Sequence, residues 1–442
     1  MAKRLEERMT TSAMLDEPMR IRAIMRDQSK APIWIQVVGF LWLVSTFAIF
    51  PGDEYFLYPL SAVFFGLLYF ERERILPMIA RCWFLFLIPI MAVLSFIWSA
   101  YPSDTLRIGA FFILSTLSMV ILGSLLTERQ ILRVFFLCAL AGTALAITEV
   151  NAIIATQRSE YLGQKNYYAM KMMIGMITGF AVAMNRHENL ILRMLGFAVI
   201  PINLALILAA SSATSMVLSF LALFLLVSAQ LFWVNSRGVK GLRTFIAGLG
   251  IVLAIAGALL ALGAVNSSVV GEALAALGKD STFTGRTALW EQAGRTSAEH
   301  PILGVAVGGF WQYDVGAAQT LVINDNRDPG TVLGFHNSYL EAQVHLGWVG
   351  LGLFVFMIAM CLWKAAQSFV VEATFERTCY FVAAIILVSI TFTESFLFGF
   401  LQPAIYMFQL AAITAIASNV RKRTVYLRVK PETDDQLATA PA

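Results

Sequence analysis

Charge is what this sequence has least of: Asp, Glu, Lys and Arg make up 14% of its 442 residues, against about 25% in an ordinary soluble protein. With hydrophobic residues at 58%, that deficit excludes a soluble globular chain. It leaves apolar runs of about 20 residues, the length that crosses roughly 30 Å of hydrocarbon. Cysteine is scarce as well. Cys82, Cys138, Cys361 and Cys379 lie in or beside apolar segments with no CxxC spacing, which excludes a disulfide framework and a zinc site and leaves small buried residues. The net charge of +4 is too small, without local gathering, for a nucleic-acid surface. The first 30 residues contain no apolar core of a cleavable signal peptide, so the first span is expected to direct insertion. There is no P-loop, no GxSxG and no HExxH, and no carboxylate pair is placed to hold a divalent ion. Asp325 and Asp328 in NDNRDPG read as turn residues, and neither a cofactor nor a metal is expected.

What is present is an all-α pattern of a polytopic membrane protein. Twelve apolar runs stand out, at about 33–50, 55–70, 82–98, 107–126, 131–148, 167–184, 191–209, 212–234, 244–265, 336–362, 378–393 and 396–418. The break near Ser211 has only small hydroxyl residues to mark it, so ten or eleven spans are also compatible. With the N-terminus in the cytoplasm, 24 of the 32 Lys and Arg residues fall on that side, as retention of positive charge requires. The expected organisation is a cytoplasmic segment 1–32, nine transmembrane helices over 33–265, a long periplasmic loop 266–335, three further helices over 336–418 and a cytoplasmic tail 419–442. A loop of that length is usually functional, and this one contains a helical stretch from about 285 to 299, before Pro301 and Gly304.

Basic residues on the outer side are exceptions to the charge rule, either solvated surface groups or partners of an anion. Arg158 and Lys165 lie in QRSEYLGQKNYY, with Asn166 and an aromatic pair following; Arg286, Arg295 and Arg327 lie in the long loop. Lys165, at a membrane boundary, points to an anionic partner, a lipid headgroup included. At about 100° per residue Arg286 and Arg295 face opposite sides of one helix. Arg295 has Glu291 and Glu299 four residues away on either side, a ladder that reads as structural. Arg286 shares its stripe with Leu289, Trp290 and Ala293 and has no acid on it, and Thr284 or Gly285 near the cap offers free N–H groups to an anion. His336, before Asn337 in GFHNSYLEAQVHLGWVGLGLF, enters the tenth span with Tyr339, Leu340 and Gln343 on one face. An imidazole beside an anion-binding Arg has the chemistry of a general base, while polar residues at a helix start also serve as caps. His345, deeper in that span, reads as an interhelical hydrogen-bonding group.

At these residues the sequence resembles the O-antigen ligase and Wzy polymerase superfamily. The resemblance is carried by FTGRTALWEQAGRTSAEHPILGVAVGGFW and HNSYLEAQVHLGWVGLGLF, and LSFIWSAYPSDTLR (94–107) with GQKNYYAM (163–170) is similar to the ExoQ-like branch of exopolysaccharide polymerases. The resemblance implies a GT-C-type, metal-independent, inverting glycosyltransferase of the bacterial inner membrane. It would move a saccharide from undecaprenyl diphosphate, at the periplasmic face, to the hydroxyl of a lipid-linked acceptor. It also implies that Arg286 neutralises the donor diphosphate and that His336 is the base. Lys165, Arg158, Asn166, Trp290, Asn337 and Tyr339 are then substrate-binding candidates, with Trp290, Trp311, Tyr313 and Tyr339 able to stack on sugar faces. Ala213 stands where many members carry an Arg, and Lys165 or Arg158 is expected to replace that cation. Partners are the lipid-linked donor and acceptor, membrane lipids, and a chain-length regulator with export machinery; nucleic acid is not among them. The alternatives are an O-antigen ligase using lipid A-core as acceptor, a transporter or flippase, and a purely structural membrane subunit.

Overall fold

The computed structural model describes residues 32–49, 53–234 and 286–429. The expected N-terminal segment, the run 244–265, Thr284, Gly285 and most of the tail lie outside them. The described chain is helical apart from one two-residue hairpin. In order it forms α1 (Ile33–Phe47), α2 (Asp53–Phe70), α3 (Arg72–Arg81), α4 (Leu87–Leu94, flanked by 3₁₀ turns), α5 (Pro102–Leu125), α6 (Glu128–Thr148) and α7 (Val150–Thr156). The hairpin, β1 (Arg158–Ser159) with β2 (Gly163–Gln164), leads into α8 (Lys165–Met184), α9 (Leu190–Ala209) and α10 (Ala213–Ser228). After the undescribed segment come α11 (Arg286–Glu299), α12 (Gly316–Asn324), α13 (Ser338–Val371), α14 (Phe375–Ile390) and α15 (Pro403–Val429).

Six of these helices, α5, α6, α8, α9, α10 with its continuation to Trp233, and α13, are long and apolar enough to cross a membrane, or seven if the pair Arg72–Arg81 and Trp83–Ile97, bent by 78°, counts as one span. Three shorter apolar helices, Ile33–Phe47, Tyr55–Phe70 and Pro403–Ser418, add to the bundle. The protein is therefore an all-α, multi-pass membrane protein. Two of the twelve expected runs differ in kind. The third, 82–98, is the short α4 between two 3₁₀ turns, bent against α3 at Cys82, and the twelfth begins only at Pro403, because residues 391–402 form an irregular link that buries Phe396, Leu397 and Phe398. Apolar content alone does not separate a helix from a buried loop. The faint break at Ser211 is real: that residue takes φ 51 between α9 and α10.

Local chemistry explains the boundaries. Thr127 and Gln130 form a capping box at the start of α6, Asn189 caps α9 and Thr374 caps α14, each satisfying N–H groups the helix leaves open. α8 is the central helix, with 83% of its apolar window buried against 28% for α9 and for α10. α9 approaches it closely because a Cβ at Gly196 would lie 2.7 Å from the Gly179 carbonyl, the small-residue packing common between membrane helices. Lys171, inside α8, donates to the Leu162 carbonyl at 3.2 Å and lies 6.0 Å over the Phe47 ring.

The two ends of the bundle differ in chemistry. At one end Glu188 is clasped by Arg129 and Arg133 at 2.6 and 2.8 Å, Arg377 pairs with Glu128 and Glu372, and Asn185 donates to Glu376. The opposite end carries α7, the hairpin, α11, α12 and the 391–402 link, and a cavity there is lined by the start of α5, the end of the hairpin, the loop 307–312, residues 332–345 and the link.

Candidate functional site

The cavity wall is built around a break in α13. Gly347 takes φ 65 and ψ −164 in the middle of that helix, a conformation that L residues with a side chain rarely adopt. The amides beyond the break find partners in the segment 301–309: Trp348 N–H donates to the Pro301 carbonyl at 2.8 Å and Val349 to Ile302 at 3.3 Å, while Val305 donates back to Val344 at 3.0 Å. The approach is close enough that a Cβ at Gly347 would lie 2.2 Å from the Ile302 carbonyl carbon. His345 Nδ1 bonds the Ala306 carbonyl at 3.0 Å and its Nε2 faces Glu341 one turn back on the same helix, so its partners are this loop and its own helix rather than a neighbouring one. The far side of the loop is tied down by the 94–107 stretch: Trp98 donates to the Leu303 carbonyl, Thr105 to the Val307 carbonyl, and Val307 N–H to Ser95 Oγ. HPILGVAVGG, HLGWVG and LSFIWSAYPSDTLR are thus three parts of one interlocked wall.

Within this frame Arg286, His336 and Asn166 converge on one carboxylate, Glu394, which the sequence reading did not single out. Glu394 lies in the irregular link, and its side chain is 3% exposed. Its Oε1 accepts from Arg286 Nη2 and from Asn166 Nδ2, both at 2.6 Å, and its Oε2 faces His336 Nδ1 at 3.0 Å. A carboxylate accepts only, so in the neutral ring Nδ1 carries the hydrogen and Nε2 the lone pair. Asn166 is held in turn by Ser212, whose hydroxyl donates to its Oδ1 at 3.0 Å. The sequence did contain a signal: Glu394 is the single acidic residue between Glu376 and Glu432, and a lone carboxylate among apolar runs costs enough to demand a partner. Arg286 has no acid on its own helix stripe, as read, but finds one 108 positions away.

A second carboxylate holds the geometry. Glu341 on α13 accepts the Phe335 N–H at 2.6 Å and the Ser395 hydroxyl at 3.0 Å, and lies 3.3 Å from His345 Nε2. Ser395 Oγ also receives the Asn337 N–H at 3.2 Å. These bonds pin both neighbours of His336 and the neighbour of Glu394, which keeps His336 in the left-handed region at φ 50 despite a cost of about 1–3 kcal/mol. His336, Glu394, Glu341 and His345 all line a cavity of about 520 Å³, with Asp104, Arg107, Gln164, Tyr167, Trp311, Gln312 and Gln402 among the other lining residues.

The remaining candidates occupy other positions. Asn337 caps α13, its Oδ1 accepting from the Tyr339 and Leu340 amides, so the capping alternative describes its side chain. Tyr339 packs against Phe354 and Phe392, outside the cavity lining, because its helix position turns it toward the apolar core. Trp290 spends its indole N–H on the Phe335 carbonyl at 2.9 Å and supports the His336 loop from outside the cavity. Trp311 does line the cavity, whereas Tyr313 is 71% exposed. Arg158 is exposed on the hairpin, and Lys165 donates to Gln157 Oε1 at 2.7 Å; neither lines the cavity. Arg107 does, paired at 3.4 Å with Asp104. Arg295 pairs with Glu291 at 2.6 Å on the exposed face, the structural role read for it. Lys165→Ala is accordingly expected to leave activity within about twofold, the scale of a lost exposed contact; a collapse of activity would place this ammonium on substrate. Among the described residues no three His, Cys, Asp or Glu side chains gather as a metal site requires.

Residues 195–355 match the family model described as O-Antigen ligase. The chain is also 25% identical, over 300 residues, to the exopolysaccharide production protein ExoQ of Rhizobium meliloti (strain 1021), covering 65% of this chain and 66% of that protein, just under two thirds of its length. The resemblance read from the motifs is therefore shown by both comparisons. The family match includes Arg286 and His336; Asn166 and Glu394, which complete the cluster, lie outside it.

Proposed function

We propose that this protein is a membrane glycosyltransferase of polysaccharide biosynthesis. It transfers a saccharide from a lipid-linked diphosphate to the hydroxyl of a second, lipid-linked saccharide, and so acts as a polymerase. The observation that carries this reading is the convergence of Arg286 and His336 on Glu394, with His336 and Glu394 lining the cavity and Arg286 behind the carboxylate.

The chemistry follows from the residues. The acceptor oxygen attacks the anomeric carbon from the side opposite the diphosphate, a new C–O bond forms, and the bond to the diphosphate breaks with its electron pair leaving on the phosphate oxygen. The acceptor proton passes to Nε2 of His336, the free ring nitrogen, while Nδ1–H stays bonded to Glu394. Arg286 offers its guanidinium to the departing diphosphate. Attack from the opposite side inverts the anomeric configuration. The cavity takes the acceptor saccharide, with Arg107, Gln164 and Gln312 as polar contacts and Trp311 as an aromatic wall.

Orientation is argued from charge. The end bearing Arg129, Arg133 and Arg377 is opposite the cavity, and positive charge retained in the cytoplasm puts the cavity at the outer face of the inner membrane. There an undecaprenyl carrier presents its head group, and chain-length regulation and export machinery would act beside it.

Purified protein in lipid nanodiscs, given undecaprenyl-diphosphate-linked repeat units and no ion gradient, is expected to produce a ladder of longer chains, with Arg286→Ala slower by about 100-fold or more. A requirement for a gradient, or movement of lipid-linked sugar without a new glycosidic bond, overturns the reading in favour of transport. The family description favours a second reading, O-antigen ligase. Deleting the gene separates the two: loss of long exopolysaccharide with intact lipopolysaccharide supports the polymerase, and the reverse pattern supports the ligase.

A further inference from the structure

Glu394 is shared in an unequal way. Its Oε1 holds Arg286 and Asn166 and its Oε2 holds His336, so one negative charge is divided between a fixed cation and an imidazole that must become a cation during transfer. Arg286 is the more accessible member of its ion pair, 15% exposed against 3% for Glu394, and it lies outside the cavity lining to which Glu394 and His336 belong.

We propose that Glu394 is a positioning residue that couples donor binding to activation of the base. A diphosphate arriving at Arg286 draws the guanidinium away from Oε1 and leaves the carboxylate charge to His336. This rests on the reading that Arg286 receives the diphosphate and His336 the acceptor proton. Before the donor binds, Arg286 neutralises Glu394, and a proton on Nε2 would create an extra positive charge at the cluster. Once the donor is bound, the Nδ1–H of His336 faces an uncompensated carboxylate, and the imidazolium that forms when Nε2 takes a proton becomes one half of an ion pair. Asn166 stays on Oε1 as a neutral donor and keeps the carboxylate oriented through the exchange. The base is therefore strong only while a donor is present, which protects the acceptor hydroxyl from unproductive deprotonation.

The other charged and titratable groups around the pair form a background that the exchange leaves in place. From α13, Glu341 is engaged by the Phe335 amide, Ser395 and His345. From α5, Asp104 and Arg107 line the cavity and pair with each other one turn apart on that helix. From α8, Tyr167 lines the cavity together with Gln402. Arg286 is the one cation bonded directly to Glu394 among the described residues.

The test uses the full-length chain in nanodiscs with labelled histidine, its four His signals assigned by substitution, and farnesyl diphosphate as probe. In the wild type the titration midpoint of His336 is expected to rise by about one pH unit or more when the probe binds, as for a cation gaining an opposite charge. In Glu394→Gln the rise is expected to fall to less than half of that. The same variant is expected to lose kcat, with the acidic limb of its pH profile displaced, while KM for the donor stays near the wild-type value. An equal rise in wild type and Glu394→Gln, or no rise in wild type with the probe demonstrably bound, overturns the coupling; the wild-type measurement decides even if the variant fails to fold. Failure of the underlying reading gives a different pattern: full transfer by His336→Gln, or probe binding that Arg286→Ala does not weaken.

Discussion

Replacing His336 with Ala or Gln is expected to slow glycosyl transfer by about 100- to 10,000-fold, the range of a lost general base. The two variants should fall together. Gln can still donate to the Glu394 carboxylate, which His336 Nδ1 contacts at 3.0 Å, and so preserves the local packing, but it offers no lone pair of suitable basicity to the acceptor hydroxyl. Single-turnover transfer with purified protein separates this from binding, because donor affinity rests on Arg286 and should change little. If the Gln variant transfers at more than a tenth of the wild-type rate, the proton goes elsewhere and the imidazole is a scaffold group.

Gly347→Ala is expected to be as damaging by a different route. The residue combines φ 65 with ψ −164, and an added Cβ would meet the Ile302 carbonyl at 2.2 Å. Backbone strain at a non-glycine residue and forced overpacking together cost about 2–6 kcal/mol. The substitution must either straighten α13 or expel the 301–309 segment, and both remove the wall that carries Val307 and Gly308 into the cavity. The measurement is thermal unfolding in detergent together with transfer activity: a large fall in melting temperature and in activity is expected. A protein of wild-type stability and activity would mean that the break at Gly347 has no part in shaping the site. Gly352, on the same helix, has nothing within 4 Å of an added Cβ and serves as the control position, where Ala should be tolerated.

Much of the candidate site could be read from the chain. Arg286 and His336 were distinguishable from Arg295 and His300 by helix phase and by motif, and the structure brings the first two together. Asn166 lay within a motif already marked out, although the emphasis there fell on Lys165, whose positive charge is the louder signal in a sequence. A neutral amide that bridges Ser212 and Glu394 makes no such signal. Trp290 and Tyr339 illustrate the converse. Aromatic residues beside a motif expected to meet a saccharide suggest stacking, but the available partners, the Phe335 carbonyl for one and two Phe rings for the other, direct them into support of the loop and core.

Composition and periodicity were enough to determine that this chain lives in a membrane as a helical bundle, because burying apolar runs of span length in lipid leaves helices as the economical way to satisfy the backbone. Motif spacing was enough to pick out Arg286 and His336, because residue type limits what a group can donate or accept. Which carboxylate closes the cluster was decided only in three dimensions. Glu394 sits 108 positions from Arg286, 58 from His336 and 228 from Asn166, and a separation of that kind leaves no local pattern. The tertiary structure selects it because a buried carboxylate requires several donors at once, and folding is the only process that delivers them from α8, α11 and the start of α13 to one point.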